Sequence, residues 1–384
     1  MSAIIENNQL PFSAKFLQFY KDRTLLAILL SLFAVMFIYG IFFTENYLTI
    51  TNFKAIIRDA ALYGIMAIGL TFVTLSGNFF LLSLKETASI CGVTFAMGMA
   101  TGFGSPDLAG NFLVSLLAAL AVGVVSGVIQ GYFVGMGGNP IVVTLGGAGI
   151  LYGIGAWWSD NLVINFTRPH DAEWLGTGSF LGLPSITWSF ILIAIAAEIV
   201  LRHTNFGRKV YLVGANKAAG KATGHENFSM AIIVFTICSV CCAFVAVAFV
   251  AQMDSAQSNY FSAEFGSSGD MTILVIATVM VGGNSIMGGY GSTLRTSLGA
   301  IFIAMVDNMM VLQGFNSGPR IVGVGLMIVF SIIVFGLFAC CLLVIVTYGI
   351  IGYFFGPLLG RIIAVLSPNM IYPPNNTLQT GYQH

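Results

Sequence analysis

Long, nearly uncharged apolar runs recur through this sequence, and they limit its fold more than any other feature. A helix that crosses the hydrocarbon core of a membrane needs about 20 apolar residues, and about ten stretches approach that length. They lie near 25–43, 60–75, 87–101, 112–135, 141–158, 185–201, 229–251, 271–286, 296–313 and from 321 onward. The last run continues to 366, so an eleventh membrane segment within 342–366 stays open. The sequence therefore predicts an all-α, polytopic membrane helix bundle of about ten transmembrane helices, some of them interrupted.

The composition excludes an ordinary soluble protein. Only 8% of the 384 residues are charged and 57% are apolar, whereas soluble domains carry about 25% charged residues. The 15 basic and 15 acidic side chains cancel, which argues against a nucleic-acid binder. The 45 glycines suit transmembrane helices that pack closely, or that break where the backbone lines a cavity.

Lysines and arginines indicate the side of the membrane on which each loop lies. With a cytoplasmic N-terminus and about ten spans, eleven of the fifteen basic residues lie inside, as the positive-inside rule requires. The loop 252–270, which is acidic and has no basic residue, then lies outside. We expect a cytoplasmic segment 1–24, a transmembrane domain 25–366 and a polar C-terminal tail 367–384.

The loop 202–228 is the most polar internal segment and carries five of the fifteen basic residues. Its alanine- and lysine-rich middle, 217–222, predicts a short helix. The charges suit either a positive-inside anchor or a docking site for a cytoplasmic partner. The loop does not form a phosphate-binding motif, because five residues separate Gly214 from Gly220 and Ala222 follows the lysine. Any ATP would therefore be used by a partner.

Two segments combine glycine with asparagine at membrane depth, 76–78 after the second span and 282–284 in the eighth. Glycines break a helix there, and the freed backbone groups are tolerated only inside protein or beside a watery cavity. Interruptions at corresponding places in two halves of a transporter mark a translocation route. Close packing of small residues explains the glycines equally well.

Ionisable residues within the spans are few, and they form no chain across the membrane as a proton relay would need. Glu198 lies near the end of its span and is expected at the interface. Asp307 and Asn308 lie deeper and are expected to face the bundle interior. Lys85 and Glu86 stand at the edge of the third span.

No catalytic or metal-binding pattern is visible in the sequence. Cys238, Cys241 and Cys242 share one helix face, but no histidine or carboxylate lies in that span to complete a metal site. Buried free cysteines in the core explain them better. His170 and Asp171 have no nucleophile nearby in the sequence. We expect no catalytic residue, no metal and no cofactor.

Four stretches together resemble the membrane permease of bacterial ABC importers of the ribose, xylose and galactose type. They are GIMAIGLTFVTLSGN (64–78), GNPIVVTLGGAGILYGI (138–154), NFGRKVYLVGANKAAGKATGH (205–225) and VGGNSIMGGYGS (281–292). Their order and spacing are more specific than any one of them. The sequence departs from the family after the second span, because 78–84 lacks the family's aspartate and one glycine and has two phenylalanines.

The resemblance implies a multi-pass protein of the cell inner membrane with defined partners. These are a cytoplasmic ABC ATPase subunit, an extracytoplasmic solute-binding protein, and a second permease copy in a homodimer or heterodimer, with the lipid bilayer around them. The segment that couples to the ATPase would contain Gly207, Arg208, Tyr211, Gly214, Asn216, Ala219 and Gly224. The translocation path would contain Asn78, Phe79, Phe80, Asn284, Asp307 and Asn308.

Three hypotheses about function follow. The first is a permease subunit of an ATP-driven importer for a sugar or similar small polar solute. The second is a secondary transporter or channel that works without ATP. The third, an intramembrane enzyme, would require an ordered catalytic pair, and no residue pattern supports one.

Overall fold

The all-α membrane architecture is confirmed by the structure, a computed structural model. It describes residues 33–34, 36–42, 44, 47–166, 171–222, 227–261, 270–316, 318–326 and 328–329. The predicted segments 1–24 and 367–384, and the proposed extra membrane segment in 342–366, lie outside the described residues.

Eleven α-helices of four residues or more, with bounds assigned, follow one another in the described part of the chain. They are α1 Ile50–Leu75, α2 Leu84–Thr101, α3 Phe112–Gly135, α4 Pro140–Trp158, α5 Glu173–Gly176, α6 Ser185–His203, α7 Asn205–Ala215, α8 Lys217–Ala222, α9 Asn227–Met253, α10 Met271–Val281 and α11 Thr293–Leu312. The residues 36–42 and 318–326 are also helical. Two short 3-10 helices, Gly102–Gly104 and Pro106–Leu108, follow α2. Two short antiparallel strand pairs are also present: β1 Ile164–Asn165 with β4 Ser255–Ala256, and β2 Ser179–Phe180 with β3 Leu183–Pro184.

Helix α1 lies at the centre of the bundle. The hydroxyl of Thr49 caps its start by accepting from the Asn52 amide at 3.3 Å, and the helix then continues for 26 residues. From Ala60 to Leu75 every residue is buried against neighbouring helices. Helices α6, α9, α10 and α11 all pack around it. A helix that is apolar on every side is typical of such a central position.

Helices α3 and α9 pack against each other over most of their lengths, and four glycines of α3, at positions 123, 127, 131 and 135, face the backbone of α9. A Cβ atom on Gly127 would lie 2.6 Å from Thr236 Cα, and one on Gly131 would lie 2.6 Å from Ile232 Cα. A Cβ atom on Gly123 would lie 2.8 Å from Ala243 Cβ and 3.1 Å from the Ser239 carbonyl oxygen. Small residues at these positions let two membrane helices approach until their backbones touch.

Six of the helices are long and apolar enough to cross a membrane: α1, α3, α4, α6, α9 and α11. Helices also occupy the second to ninth predicted spans, and α3 has the predicted bounds, 112–135. The predicted eighth span, 271–286, is interrupted at the expected place, since α10 ends at Val281 before the two glycines of 282–284. The first and tenth spans are described only at 33–42 and 318–329, so the full count of about ten is not established.

Helix α4 lies at the outside of the described bundle and turns large apolar side chains outward. Leu145, Ile150 and Trp157 are more than half exposed. Its opposite side, at Thr144 and Gly155, is buried. Apolar exposure of this kind suits a helix surrounded by lipid or by another membrane protein.

Candidate coupling and translocation site

Three segments meet at one end of the bundle, and we call this contact the junction. They are residues 75–78 at the end of α1, residues 205–217 of α7 and the start of α8, and the loop 282–292 between α10 and α11. The Gly289 amide donates to the Leu75 carbonyl at 3.0 Å. The loop that follows α10 is thus joined directly to the C-terminal end of α1.

Glycines let the three backbones touch at the junction. A Cβ on Gly214 would lie 1.8 Å from the Leu75 carbonyl oxygen and 2.8 Å from the Gly289 nitrogen. Gly77 and Gly288 have φ angles of +73° and +92°, and a Cβ on Gly288 would lie 2.7 Å from the Gly214 oxygen. A side chain would strain the backbone at Gly77 and Gly288, and it would be obstructed at Gly214 and Gly288. The glycines of three family-like motifs therefore serve one three-way contact.

Polar side chains of the predicted coupling segment reach across the junction. The hydroxyl of Tyr211 donates to the Gly291 carbonyl at 2.8 Å. Lys217 Nζ donates to Asn78 Oδ1 at 3.2 Å, while Asn78 Nδ2 donates to Ser76 Oγ at 3.0 Å. Partial burial lowers the pKa of the Lys217 ammonium by desolvating its charge.

Asn284 organises the loop between α10 and α11. Its side-chain nitrogen donates to the Val279 carbonyl at 3.1 Å and to Thr296 Oγ1 at 2.8 Å. Its oxygen accepts from the Ser292 amide at 2.8 Å. Thr296 in turn shares a 2.7 Å hydrogen bond with Thr71 of α1. The buried amide thus holds the end of α10 against the start of α11.

Glu198 links α6 to the N-terminal end of α11. Its carboxylate accepts from Thr293 Oγ1 at 2.6 Å, from Ser292 Oγ at 3.0 Å and from the Leu294 amide at 3.2 Å. Arg202, one turn later on α6, also pairs with it. A carboxylate at a helix N-terminus satisfies free amides and interacts favourably with the helix dipole. Glu198 therefore connects the helix that leads into α7 with α11.

The structure places the predicted coupling residues on α7 and at the α7–α8 turn. Thr204 caps α7 through the Gly207 amide at 3.2 Å, and Asn216 accepts from the Ala218 amide at 2.9 Å at the start of α8. Arg208 is exposed on α7 and hydrogen-bonds to Asn205. Ala219 lies within α8, which confirms the predicted short helix. Gly224 is outside the described residues.

The structure divides the predicted path residues between two places. Asn78 and Asn284 are buried at the junction, and Phe79 and Phe80 follow Asn78. Asp307 and Asn308 stand near the other end of α11, about 22 Å along the helix from its start.

At that other end, Asp307 is paired with an arginine. Its carboxylate accepts two hydrogen bonds from Arg320, at 3.1 and 3.0 Å. Asp307 is almost fully buried, and the arginine side chain is 14% exposed. Neighbouring Asn308 is also buried, and its side-chain oxygen has no hydrogen-bond partner within the described chain.

Sequence reasoning missed a charged contact inside the bundle. Lys85 and Asp270 form an ion pair, although the loop pattern assigned them to opposite sides of the membrane. Residues 79–83 return into the bundle before α2 begins, and α10 is a helix of only 11 residues. A short apolar helix after an acidic loop is the signal that could have indicated it.

The described part of the chain contains no group of three or more His, Cys, Asp or Glu side chains that could hold a metal ion. The cysteines Cys238 and Cys242 are buried and free. The polar groups that cluster here are mainly amides, hydroxyls and single carboxylates. They suit interhelical contact.

Comparison with known proteins agrees with this architecture. The chain matches, over residues 52–347, the model of a family described as branched-chain amino acid transport system / permease component. It is 29% identical over 317 residues to ribose import permease protein RbsC of Escherichia coli (strain K12), which covers 79% of this chain and 92% of the relative.

A second relative is autoinducer 2 import system permease protein LsrC of Yersinia pseudotuberculosis serotype O:3 (strain YPIII). It is 30% identical over 304 residues, which cover 78% of this chain and 80% of the relative. No solved structure matches the chain. The family match covers most of the sequence and includes the junction and the helices that form it. The chain therefore belongs to the family of branched-chain amino acid transport system permease components, which confirms its resemblance to importer permeases.

Proposed function

We propose that this chain is the membrane permease subunit of an ATP-binding cassette importer that moves a sugar or similar small polar solute across the cell inner membrane. The observation that carries the proposal is the junction, where one exposed basic segment contacts the ends of α1, α10 and α11. The names of the two relatives, a ribose import permease and an autoinducer 2 import permease, support the solute class. ATP hydrolysis belongs to a partner ATPase, and this subunit is not itself an enzyme.

The coupling segment 202–228 is suited to receive an ATPase. Helix α7 buries Val210 and Val213 against the bundle and exposes Arg208 and Lys209 on its other side. An exposed cationic helix anchored by an apolar face is suited to dock a cytoplasmic protein. With this side in the cytoplasm, the N-terminus of the chain is cytoplasmic as well.

Movement of α7 would be transmitted without intervening flexible chain. The Leu75 carbonyl, the Gly289 amide and the Tyr211 hydroxyl join α7, α1 and the α10–α11 loop by backbone contacts and short hydrogen bonds. Glu198 adds a link from α6 to α11. Coupling requires an element with two arrangements that both sites bias, and we propose that the junction is that element.

We also propose the translocation path, with its cytoplasmic end at Asn78, Phe79, Phe80 and Asn284 and its outer end at Asp307 and Asn308. An extracytoplasmic solute-binding protein would deliver solute to that outer end. A second permease copy, identical or related, would complete the path.

The test is a charge reversal on the exposed face of α7. Arg208→Glu in the complete transporter should abolish solute-stimulated ATP hydrolysis and uptake while the protein remains folded in the membrane. Lys54→Glu is the matched control, because Lys54 is exposed near the start of α1, at the opposite end from the junction. Unchanged hydrolysis and uptake in Arg208→Glu would contradict the coupling assignment. Ion-driven uptake by the chain alone in liposomes would support a secondary transporter instead.

A further inference from the structure

A second polar cluster lies inside the bundle, where α2 and α10 begin. Asp270 caps α10 by accepting from the Thr272 amide at 3.0 Å, and its other carboxylate oxygen pairs with Lys85. Glu86 Oε1 stands 3.8 Å from the same ammonium. Two carboxylates and one ammonium give the cluster a net charge of about −1 when all are ionised.

The cluster lies near the middle of the membrane. Helix α10 has 11 residues, so Asp270 is about 16 Å from the junction, roughly half the hydrocarbon thickness. Gln130, which lies beside the start of α2, stands about 8 Å before the end of α3 at Gly135. Gly135 packs on Phe228, close to the coupling segment. Both estimates place the start of α2 well inside the bilayer.

Three buried polar atoms at the start of α2 have no hydrogen-bond partner among the described residues: Glu86 Oε2, Thr87 Oγ1 and Gln130 Nε2. The Ser83 hydroxyl donates to Gln130 Oε1 at 2.6 Å, which fixes the carboxamide against the first turn of α2. Thr87 follows Ser83 by one helical turn and lies on the same face. Thr87 is 0% exposed and Gln130 is 4% exposed.

Unpaired polar groups are more costly at membrane depth than at a surface, because no water or lipid group can replace the missing partner. A single buried polar atom without a hydrogen-bond partner would cost the fold only a little stability. Two on the first turn of α2, one of them a carboxylate oxygen, and a third on the neighbouring α3 indicate a place that takes a polar guest. Gly147 of α4 also faces the Gln130 carboxamide, and a Cβ there would lie 3.1 Å from Gln130 Cδ.

We propose that Glu86, Thr87 and Gln130 form a solute-contact site that takes a neutral, hydroxyl-rich molecule during its passage. A carboxylate oxygen accepts, an amide NH₂ donates and a threonine hydroxyl does either, and sugar hydroxyls also both donate and accept. A metal cation requires acceptors only, so the amide NH₂ argues against it. When all three charged groups are ionised, the net negative charge of the cluster disfavours phosphorylated or carboxylated solutes.

This inference rests on the proposed importer function and adds to it the residues that contact solute. In the structure the three atoms are enclosed, so solute would enter when the helices around α2 separate during the transport cycle.

The test measures thiol accessibility in the complete transporter, in membrane vesicles supplied with ATP. Thr87→Cys is treated with methanethiosulfonate ethylammonium, and modification is measured above the background of the natural cysteines. Ser89→Cys is the matched control, since Ser89 is a similarly buried hydroxyl residue on the opposite face of α2. The probes are D-ribose, D-xylose, D-galactose and ribitol, with D-ribose 5-phosphate as the anionic comparison.

We expect Thr87→Cys to react at least about tenfold faster than Ser89→Cys, and at least one neutral probe to protect it. Adding Glu86→Gln should raise the half-protecting concentration roughly tenfold, as loss of a hydrogen bond to a charged group implies. Equal reactivity of the two cysteines would overturn the proposal. So would absence of protection by every neutral probe, or equal protection by D-ribose 5-phosphate.

The same vesicles separate failure of this inference from failure of the importer function. If ATP hydrolysis responds to solute and is lost in Arg208→Glu, the importer function stands whatever happens at Thr87. If hydrolysis never responds to solute, the importer function itself fails.

Discussion

Removing the Glu198 carboxylate should loosen the start of α11, because that carboxylate accepts hydrogen bonds from Ser292, Thr293 and Leu294. Glu198→Ala deletes two hydrogen bonds from the hydroxyls of Ser292 and Thr293 and the cap on the Leu294 amide. Hydrogen bonds to a charged group contribute about 1.5 kcal/mol or more each, and a helix cap contributes about 1 kcal/mol. The pairing with Arg202 adds little, because that side chain is 61% exposed.

The total is about 4 kcal/mol of local stability, which corresponds to roughly a thousandfold in the opening equilibrium. Hydrogen–deuterium exchange of the chain in lipid nanodiscs measures that opening directly. Amides of residues 293–297 should exchange up to about a thousandfold faster in Glu198→Ala. Glu198→Gln, which keeps one acceptor oxygen, should lie between Ala and the native protein.

Arg202→Ala is the control, since it removes only the exposed partner and should change exchange by less than about fivefold. Peptides from α4, which does not contact this site, should exchange as in the native protein in every variant. The reasoning is refuted if Glu198→Ala leaves residues 293–297 within about threefold of native exchange.

Three further predictions concern the junction and the outer end of α11. Gly214→Ala should prevent the junction from closing, because the new Cβ would lie 1.8 Å from the Leu75 carbonyl oxygen. We expect a lower melting temperature and lower transporter activity. Gly153→Ala is the control and should leave both unchanged, because Gly153 has open space around it. Asp307→Ala should destabilise the protein by about 3–5 kcal/mol, since it leaves Arg320 buried without its partner. Adding Arg320→Met to Asp307→Ala should recover part of the lost stability, as measured by thermal unfolding. If the double variant is as unstable as Asp307→Ala alone, the pairing is contradicted. Burial lowers the pKa of Lys217 in the folded protein, so its charge opposes folding at neutral pH. The melting temperature should therefore rise as the pH approaches 10.5, the ordinary pKa of a lysine. The variant Lys217→Gln should not show that rise.

Most of the membrane fold could be predicted from the sequence, because the length of an apolar run is a local property. Helix α3 begins and ends where its run does, at 112 and 135. The short helix α8 was also predictable from alanine and lysine content. The end of α10 at Val281 was predictable too, because the following glycines break the helix although the apolar run continues past them.

The contacts of the candidate site could not be predicted in the same way. Glu198 and Arg202 are one turn apart, so their pairing is visible in sequence, whereas the partners of Glu198 on α11 are about 95 residues later. Gly77, Gly214 and Gly288 were each recognisable as motif glycines, but nothing local indicates that their backbones touch. Unpartnered atoms such as Gln130 Nε2 become visible only when every neighbouring helix is placed.

The glycine contacts between α3 and α9 restrict how this protein can change shape. Gly123, Gly127 and Gly131 lie four residues apart and each contacts the α9 backbone. Sliding one helix along the other by less than that spacing would bring larger side chains against the backbone. The two helices are expected to move as one rigid body. Conformational change must then occur at other helix interfaces, where flexible side chains fill the contact. Spectroscopic probes on α3 and α9 should keep a constant separation. Probes placed across other helix pairs should change their separation during the transport cycle.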